Sequence, residues 1–304
     1  MKALVIGFGS IGQKHSIILK NLGLDVAILS NFNSIDYKYF NNLDDAINNF
    51  NPDYIIISNK TIDHYNYLNK LLNICTDKKI LIEKPIFDKY EKVFENNNII
   101  KVAYNLRFHP IIKKIKNIIE SSKTKIFSMN VYVGSYLPNW RKNSDYRESY
   151  SSKRREGGGV LRDLSHELDY INFLTGKWIT LTAFGGKFSN LEIDSDDVFK
   201  VIIETINCKS LSLELNYLDK NPKRYINLIS EEYSIYADLI NNKLIINEKE
   251  EFIEMEPNQT YIDEHKNFLY DNGNDLCSLQ EGLEITKMIE CIEISSKDKK
   301  WIKN

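Results

Sequence analysis

A two-part α/β chain is what this sequence predicts: an N-terminal doubly wound parallel sheet over residues 1–121, then an α+β unit with a mostly antiparallel open sheet over residues 122–304. Three observations carry this. Short β-rich runs alternate with helical stretches as far as residue 104, which means parallel strands joined by right-handed crossovers. Beyond Ser121-Ser122 the apolar pattern turns to a period of two, with strand following strand, as antiparallel sheets require. Gly7, Gly9 and Gly12 follow the first apolar run directly and open a helical stretch. At 304 residues there is length for two cores, on a scale of about 100–200 residues each.

In the first part, strands are expected at 3–6, 25–29, 54–57, 80–82 and 99–104, separated by helical segments such as 14–22 and 63–74. In the second they are expected at 125–133, 179–188, 198–205, 210–217, 225–230 and 234–239. One helix, 159–174, interrupts that series. Its Leu161, Leu164, Leu168 and Ile171 recur at helical spacing, so that face should be buried and another left for chemistry. Helices near 261–270 and 279–295 close the chain.

Composition excludes several functions. Hydrophobic residues make up 42% and charged residues 27%, and the net charge of -2 gives no basis for binding nucleic acid or a membrane surface. Cys75, Cys208, Cys277 and Cys291 stand far apart with no C-x-x-C pair, so they read as free thiols in a reducing compartment, with no zinc site. The opening run from Ala3 to Gly7 is too short for a signal peptide, and no run approaches the roughly 18 apolar residues of a membrane span. A cytoplasmic protein is expected.

The first chemistry-bearing motif is Gly7-Phe8-Gly9-Ser10-Ile11-Gly12, a G-x-G-x-x-G between strand and helix. Gly7 serves the tight turn, Gly9 lets a pyrophosphate approach the backbone, and Gly12 lets helix and strand pack closely, while the helix N-terminus offers N–H donors to the anion. This is the Rossmann arrangement for NAD or NADP. Preference between them is read at the end of the second strand, at Ser30-Asn31. No carboxylate there repels a 2′-phosphate, and no arginine in 29–33 holds one, so the neutral pair leans slightly to NAD.

Glu83-Lys84-Pro85 ends the fourth strand, at the edge where open α/β sheets bind ligands. An amine there can donate to a substrate oxygen or exchange a proton with it. In the second part Asp163, His166 and Asp169 fall at i, i+3 and i+6, which would put Asp163 and His166 on one helix face, with the carboxylate orienting the imidazole. Asp169 fits a helix-anchoring role as well as a place in the site. Between strand and glycines lie Tyr136, Trp140, Arg141, Tyr146, Tyr150 and Lys153-Arg154-Arg155. Aromatic faces stack on sugar rings and basic groups bind carboxylate or phosphate, so the loop suits an anionic sugar, although a solvated charged loop has the same composition.

Taken in this order, the glycine loop, Glu83-Lys84-Pro85 and the Asp163/His166 pair resemble the glucose-fructose oxidoreductase/inositol dehydrogenase/MocA (Gfo/Idh/MocA) family over nearly the whole chain. Ser58-Asn59-Lys60-Thr61 with His64, and Tyr104-Asn105-Leu106-Arg107-Phe108-His109-Pro110, add to the likeness. The resemblance implies an NAD(P)-dependent oxidoreductase that moves a hydride between nicotinamide and a carbinol or carbonyl carbon of a sugar, sugar acid or nucleotide-linked sugar. It implies that Lys84 is the catalytic lysine, completed by Asp163 and His166. The cofactor would lie on Gly7, Gly9, Ser10, Ile11, Gly12, Ser30, Asn31, Ser58, Asn59, His64, Glu83, Lys84, Asn105 and Arg107. Substrate would meet Lys84, Tyr104, His109, Tyr136, Trp140, Arg141, Asp163 and His166, with no metal.

Many members separate the aspartate from the histidine by four positions, where this chain has three. The run D-L-S-H-E-L-D-Y is similar to a subgroup tied to bacterial surface-glycan biosynthesis. Two other readings share the same motifs: an epimerase or internal redox enzyme that retains its cofactor, and a non-catalytic dinucleotide-binding regulator, which would need the glycine loop alone. A homo-oligomer, dimer or tetramer, is expected through the uncovered face of the second sheet.

Overall fold

The computed structural model describes residues 1–31, 36–94, 96–141 and 144–304. These form two compact units, Met1–Asn105 with Asn258–Thr286, and Leu106–Pro257 with Lys287–Asn304. Both units are discontinuous in sequence, whereas the composition shift near residue 121 marks a single crossing of the chain.

The first unit runs β1 (Lys2–Ile6), α1 (Ser10–Asn21), β2 (Asp25–Leu29), β3 (Lys38–Phe40), α2 (Leu43–Phe50), β4 (Tyr54–Ile57), α3 (Thr61–Ile74), β5 (Lys79–Ile82) and β6 (Ile99–Val102). Its sheet has the order β15-β6-β5-β4-β1-β2-β3, parallel except for the two-residue β15 (Cys277–Ser278), which pairs antiparallel to β6. The central strands are apolar at nearly every position because helices cover both faces. In β4, all of Tyr54, Ile55, Ile56 and Ile57 are fully buried, each contributing about 1.5–3 kcal/mol of transfer free energy. Strand order reverses at β1/β4, which places the ligand crevice of such a sheet outside the carboxyl ends of those strands. The late helix α7 (Gln259–Tyr270) packs on α1 in this unit. Strand β3 is too short to show a period and was not expected.

The second unit contains α4 (Pro110–Ser122), β7 (Ile126–Gly134), α5 (Val160–Asp163), α6 (His166–Thr175), β8 (Trp178–Gly186), β9 (Val198–Thr205), β10 (Leu211–Asn216), β11 (Lys223–Ser230), β12 (Ser234–Asp238), β13 (Lys243–Ile246), β14 (Lys249–Phe252) and β16 (Ile302–Lys303). The sheet order is β14-β13-β12-β11-β7-β10-β9-β8-β16, antiparallel apart from the β7/β10 pair. One face is buried through Met129, Val131, Leu211, Leu213 and Leu215, whereas the other carries exposed Phe127, Ile179, Phe184, Ile202 and Ile229. The last long helix is α8 (Leu279–Asp298).

The helix expected at 159–174 is broken. Leu161, Leu164, Leu168 and Ile171 are buried as their spacing predicts. The backbone tightens after α5, however: the amides of Ser165 and Glu167 donate to the carbonyls of Arg162 and Leu164, three residues back. Asp163 and His166 therefore stand on separate helices, not on one face. Buried polar anchors on both sides of the break hold it, since Asp163 accepts from Tyr217, Glu167 from Arg224 and Asp169 from Arg107.

Candidate active site

Gly7 and Gly12 are the packed positions of the glycine loop, and Gly9 is the open one. Gly7 has φ +92°, and a Cβ there would lie 2.7 Å from the Asn59 backbone, so only glycine allows the β1 and β4 loops to meet. At Gly12 a Cβ would lie 2.1 Å from the Gly7 carbonyl oxygen, which closes helix on strand. At Gly9 nothing lies within 4 Å. Gly9 is also the N-cap of α1 and supplies no side-chain acceptor, so the N–H groups opening the helix at Ser10 and Ile11 suit an external anion.

Next to this cradle, Ser58 Oγ donates to the carbonyls of Ile6 and Gly7 at 3.0 and 3.1 Å, fixing the turn between β4 and α3. Asn59 Oδ1 is buried and accepts no hydrogen bond among the described residues. A buried acceptor of that kind calls for a donor, and a dinucleotide carries ribose hydroxyl and carboxamide donors. The ring nitrogens of His64 face the carbonyls of Asn59 at 3.2 Å and Ile86 at 3.1 Å, tying the β4 loop to the chain after β5. Burial lowers the His64 pKa despite those carbonyls; the single N–H of a neutral ring can serve only one of the two. Ser30 and the exposed Asn31 follow β2; residues 32 and 33 of the arginine-free stretch 29–33 lie outside the described residues. Tyr104 is buried, and Asn105 Nδ2 donates to Thr260 Oγ1 at 2.8 Å.

Lys84 stands just past β5 at the same carboxyl edge, half-buried, ahead of a cis peptide bond to Pro85. Glu83 is 8% exposed; burial pushes its carboxyl up, but the hydrogen bond and charge of His15, with the charge and amide of Lys84, outweigh that and hold it low. The carboxylate accepts from His15 Nε2 at 2.8 Å through one oxygen and from the Lys84 amide at 3.1 Å through the other.

In the second unit Asp163 is 7% exposed and accepts from the Tyr217 hydroxyl at 2.6 Å. Tyr150 hydrogen-bonds to it as well, and the Asp163 charge raises the Tyr150 pKa well above the usual phenol range. Neither tyrosine was singled out from sequence as an Asp163 partner; Tyr217 reaches it from just past the far end of β10, and Tyr150 from the loop ahead of the glycines. Gly158 and Gly159 explain the approach, because a Cβ on Gly158 would lie 2.1 Å from the Tyr150 carbonyl oxygen and one on Gly159 2.4 Å from Asp196 Oδ1. Half-buried His166 opens α6. Trp140 packs edge-on against Tyr217 at 5.2 Å, and Trp140, Arg141, Tyr146 and Ser149 line a small cleft, with Arg141 over the Tyr150 ring at 5.7 Å. Tyr136 lies under Lys220 at 5.8 Å.

Two residues expected at the site have structural partners in this unit. His109 caps α4, accepting from the Ile111 amide at 3.2 Å, and burial lowers its pKa to about 4. The Arg107 guanidinium grips Asp169 through Nε at 2.9 Å and Nη2 at 2.7 Å, with side chains 4% and 1% exposed. Removing one member of a buried pair strands the other charge, so Arg107→Ala should lose about 3–5 kcal/mol in chemical unfolding. Arg107→Met/Asp169→Leu should recover much of that loss. Unchanged stability in Arg107→Ala, with dinucleotide affinity lost instead, would give Arg107 to the cofactor and not to the fold.

Among the described residues, no group of three or more His, Cys, Asp or Glu side chains is arranged to hold a metal ion, and no helix is long and apolar enough to cross a membrane. A parallel sheet with a glycine cradle at its switch point defines a Rossmann-type dinucleotide-binding domain. Residues 1–106 match the oxidoreductase family with the NAD-binding Rossmann fold, and residues 112–238 match the GFO/IDH/MocA C-terminal domain. The chain belongs to the GFO/IDH/MocA oxidoreductase family.

Solved structures agree in fold. A levoglucosan dehydrogenase in complex with NADH is 17% identical with a TM-score of 0.86, covering 100% of this chain and 98% of that one. The WlbA dehydrogenase from Bordetella pertussis, in complex with NADH and UDP-GlcNAcA, is 16% identical with a TM-score of 0.82, covering 100% and 97%. An oxidoreductase from Thermotoga maritima is 19% identical with a TM-score of 0.81, covering 100% and 98%. No relative matches among curated protein sequences.

Proposed function

We propose that this chain is an NAD(P)-dependent dehydrogenase or reductase acting on a CH–OH group of a sugar, sugar acid or nucleotide-linked sugar, with NAD the better fit to Ser30 and Asn31. The observation that carries it is Lys84, an amine held at the carboxyl edge of the same sheet whose glycine loop is left open at Gly9. The dinucleotide supplies the hydride acceptor or donor. For oxidation, Lys84 takes the hydroxyl proton as the carbinol carbon loses its hydride, and reduction reverses both transfers. Asp163, steadied by Tyr217 and Tyr150, and His166 bind and orient substrate hydroxyls.

The cleft supports the substrate class. Trp140 and Tyr146 offer ring faces to a sugar, and Arg141 offers two parallel N–H donors to a carboxylate or phosphate. A nucleotide-linked sugar acid meets both demands, and the UDP-GlcNAcA complex of the WlbA dehydrogenase supports a place in glycan biosynthesis. The exposed apolar face of the nine-stranded sheet supports assembly into a homo-oligomer. The test is native mass spectrometry of the purified protein for retained dinucleotide, followed by nicotinamide absorbance with NAD against a panel of sugar acids and nucleotide sugars. Turnover is expected with an anionic sugar. Failure to bind either dinucleotide would remove the reading.

A further inference from the structure

Beneath Lys84 lies a buried run of hydrogen bonds that the proposed chemistry does not use. From the Glu83 carboxylate it passes to His15 Nε2 at 2.8 Å, from His15 Nδ1 to His265 Nε2 at 2.8 Å, and from His265 Nδ1 to the Tyr54 hydroxyl at 2.9 Å. Four separate segments supply it: α1, β4, the end of β5 and α7. Tyr54, His15 and His265 are all 0% exposed.

One donor direction is fixed by the carboxylate. An ionised carboxylate only accepts, so His15 Nε2–H donates to Glu83. Beyond that bond, donation in either direction along His15 Nδ1, His265 Nε2, His265 Nδ1 and the Tyr54 hydroxyl leaves every ring nitrogen satisfied. Burial, with His15 alongside, drives the His265 pKa well below the imidazole range, which keeps that ring neutral. The other charged or titratable groups around the run are Lys14, whose ammonium lies 4.6 Å from the Tyr261 ring centroid, Glu264, whose charge raises the Tyr54 pKa behind burial, and His64, within the field of Glu83.

We propose that His15 and His265 are positioning residues for Lys84, holding the Glu83 carboxylate in place against the Lys84 backbone. This rests on the reading of Lys84 as the proton-exchanging group. The run fixes and does not conduct, because its far end stops at a phenol with no exposed surface. It reaches Lys84 through Glu83. Without the His15 donor, burial of Glu83 is opposed only by the charge and amide of Lys84, so the carboxyl binds a proton more readily and the lysine, with less negative charge beside it, releases its own more easily.

The test reads the Lys84 amine directly. Trinitrobenzenesulfonate labelling of the full-length protein is followed against pH, with Lys84 modification measured by peptide mass spectrometry in wild type, His15→Leu and His15→Gln. In His15→Leu the labelling midpoint is expected to fall by about half a pH unit, or roughly a threefold gain in free amine at fixed pH below the midpoint. His15→Gln, which restores an N–H toward Glu83, should return it close to wild type. A lowered melting temperature in His15→Leu with an unmoved midpoint would show a merely structural role and overturn the proposal. Should that variant fail to fold, nitrogen-15 spectra of the wild type decide: a protonated His15 Nε2 at neutral pH is expected, and an unprotonated one overturns it. Labelling needs no substrate, so loss of the dehydrogenase reading would appear separately, as absent dinucleotide binding or turnover.

Discussion

Gly9→Val is expected to weaken NAD and NADP binding by at least on the order of 100-fold while leaving the melting temperature within a degree or two, roughly the noise of a neutral surface change. The reason lies in what surrounds Gly9. No protein atom comes within 4 Å of a Cβ built there, so the folded chain has room for the side chain. The room taken is the space a pyrophosphate needs in front of the α1 N-terminus. Gly12→Val should behave in the opposite way, because its Cβ would sit 2.1 Å from the Gly7 carbonyl oxygen and 2.9 Å from Ser58 Oγ, both part of the packed turn. That variant should lose stability first and binding as a consequence. Calorimetry of both variants beside thermal melts separates the cases. Unchanged dinucleotide affinity in Gly9→Val would remove the cradle from this loop.

The same contrast shows what the sequence made legible. Gly7, Gly9 and Gly12 could be read because their roles are local, each set by a strand, a turn and a helix adjacent in the chain. The place of Lys84 could be read because the apolar strand β5 fixes which edge of the sheet it reaches. The break between Asp163 and His166 could not be seen, since apolar spacing at Leu161, Leu164, Leu168 and Ile171 continues through it. What breaks the helix is a set of long-range anchors, Tyr217 on Asp163, Arg224 on Glu167 and Arg107 on Asp169, between residues 54 to 62 apart. His15 offered a weaker clue, a histidine three residues past Gly12 on the buried side of α1. Its partner His265 is 250 residues away, on a helix that composition alone assigned to the second half of the chain.

Lys84→Met is expected to lower turnover by a factor on the order of 10²–10⁴, the usual contribution of a positioned acid-base group, with dinucleotide affinity within about threefold of wild type. Methionine keeps much of the apolar stem and removes the charge and the donors, so the loss should fall on the chemical step and not on folding. Lys84→Arg decides between the two things an amine can do there. Arginine preserves the positive charge, yet with a pKa above about 12 it cannot give up a proton near neutrality. If Lys84 exchanges a proton with the substrate oxygen, arginine should be nearly as poor as methionine. If it serves only as a fixed cation that stabilises charge on that oxygen, arginine should recover a large part of the rate. The backbone N–H of residue 84 that bonds Glu83 survives both substitutions, so Glu83 and His15 keep their geometry and the comparison isolates the amine. Near wild-type turnover of Lys84→Met on a substrate that wild type oxidises would show that the proton leaves by another group.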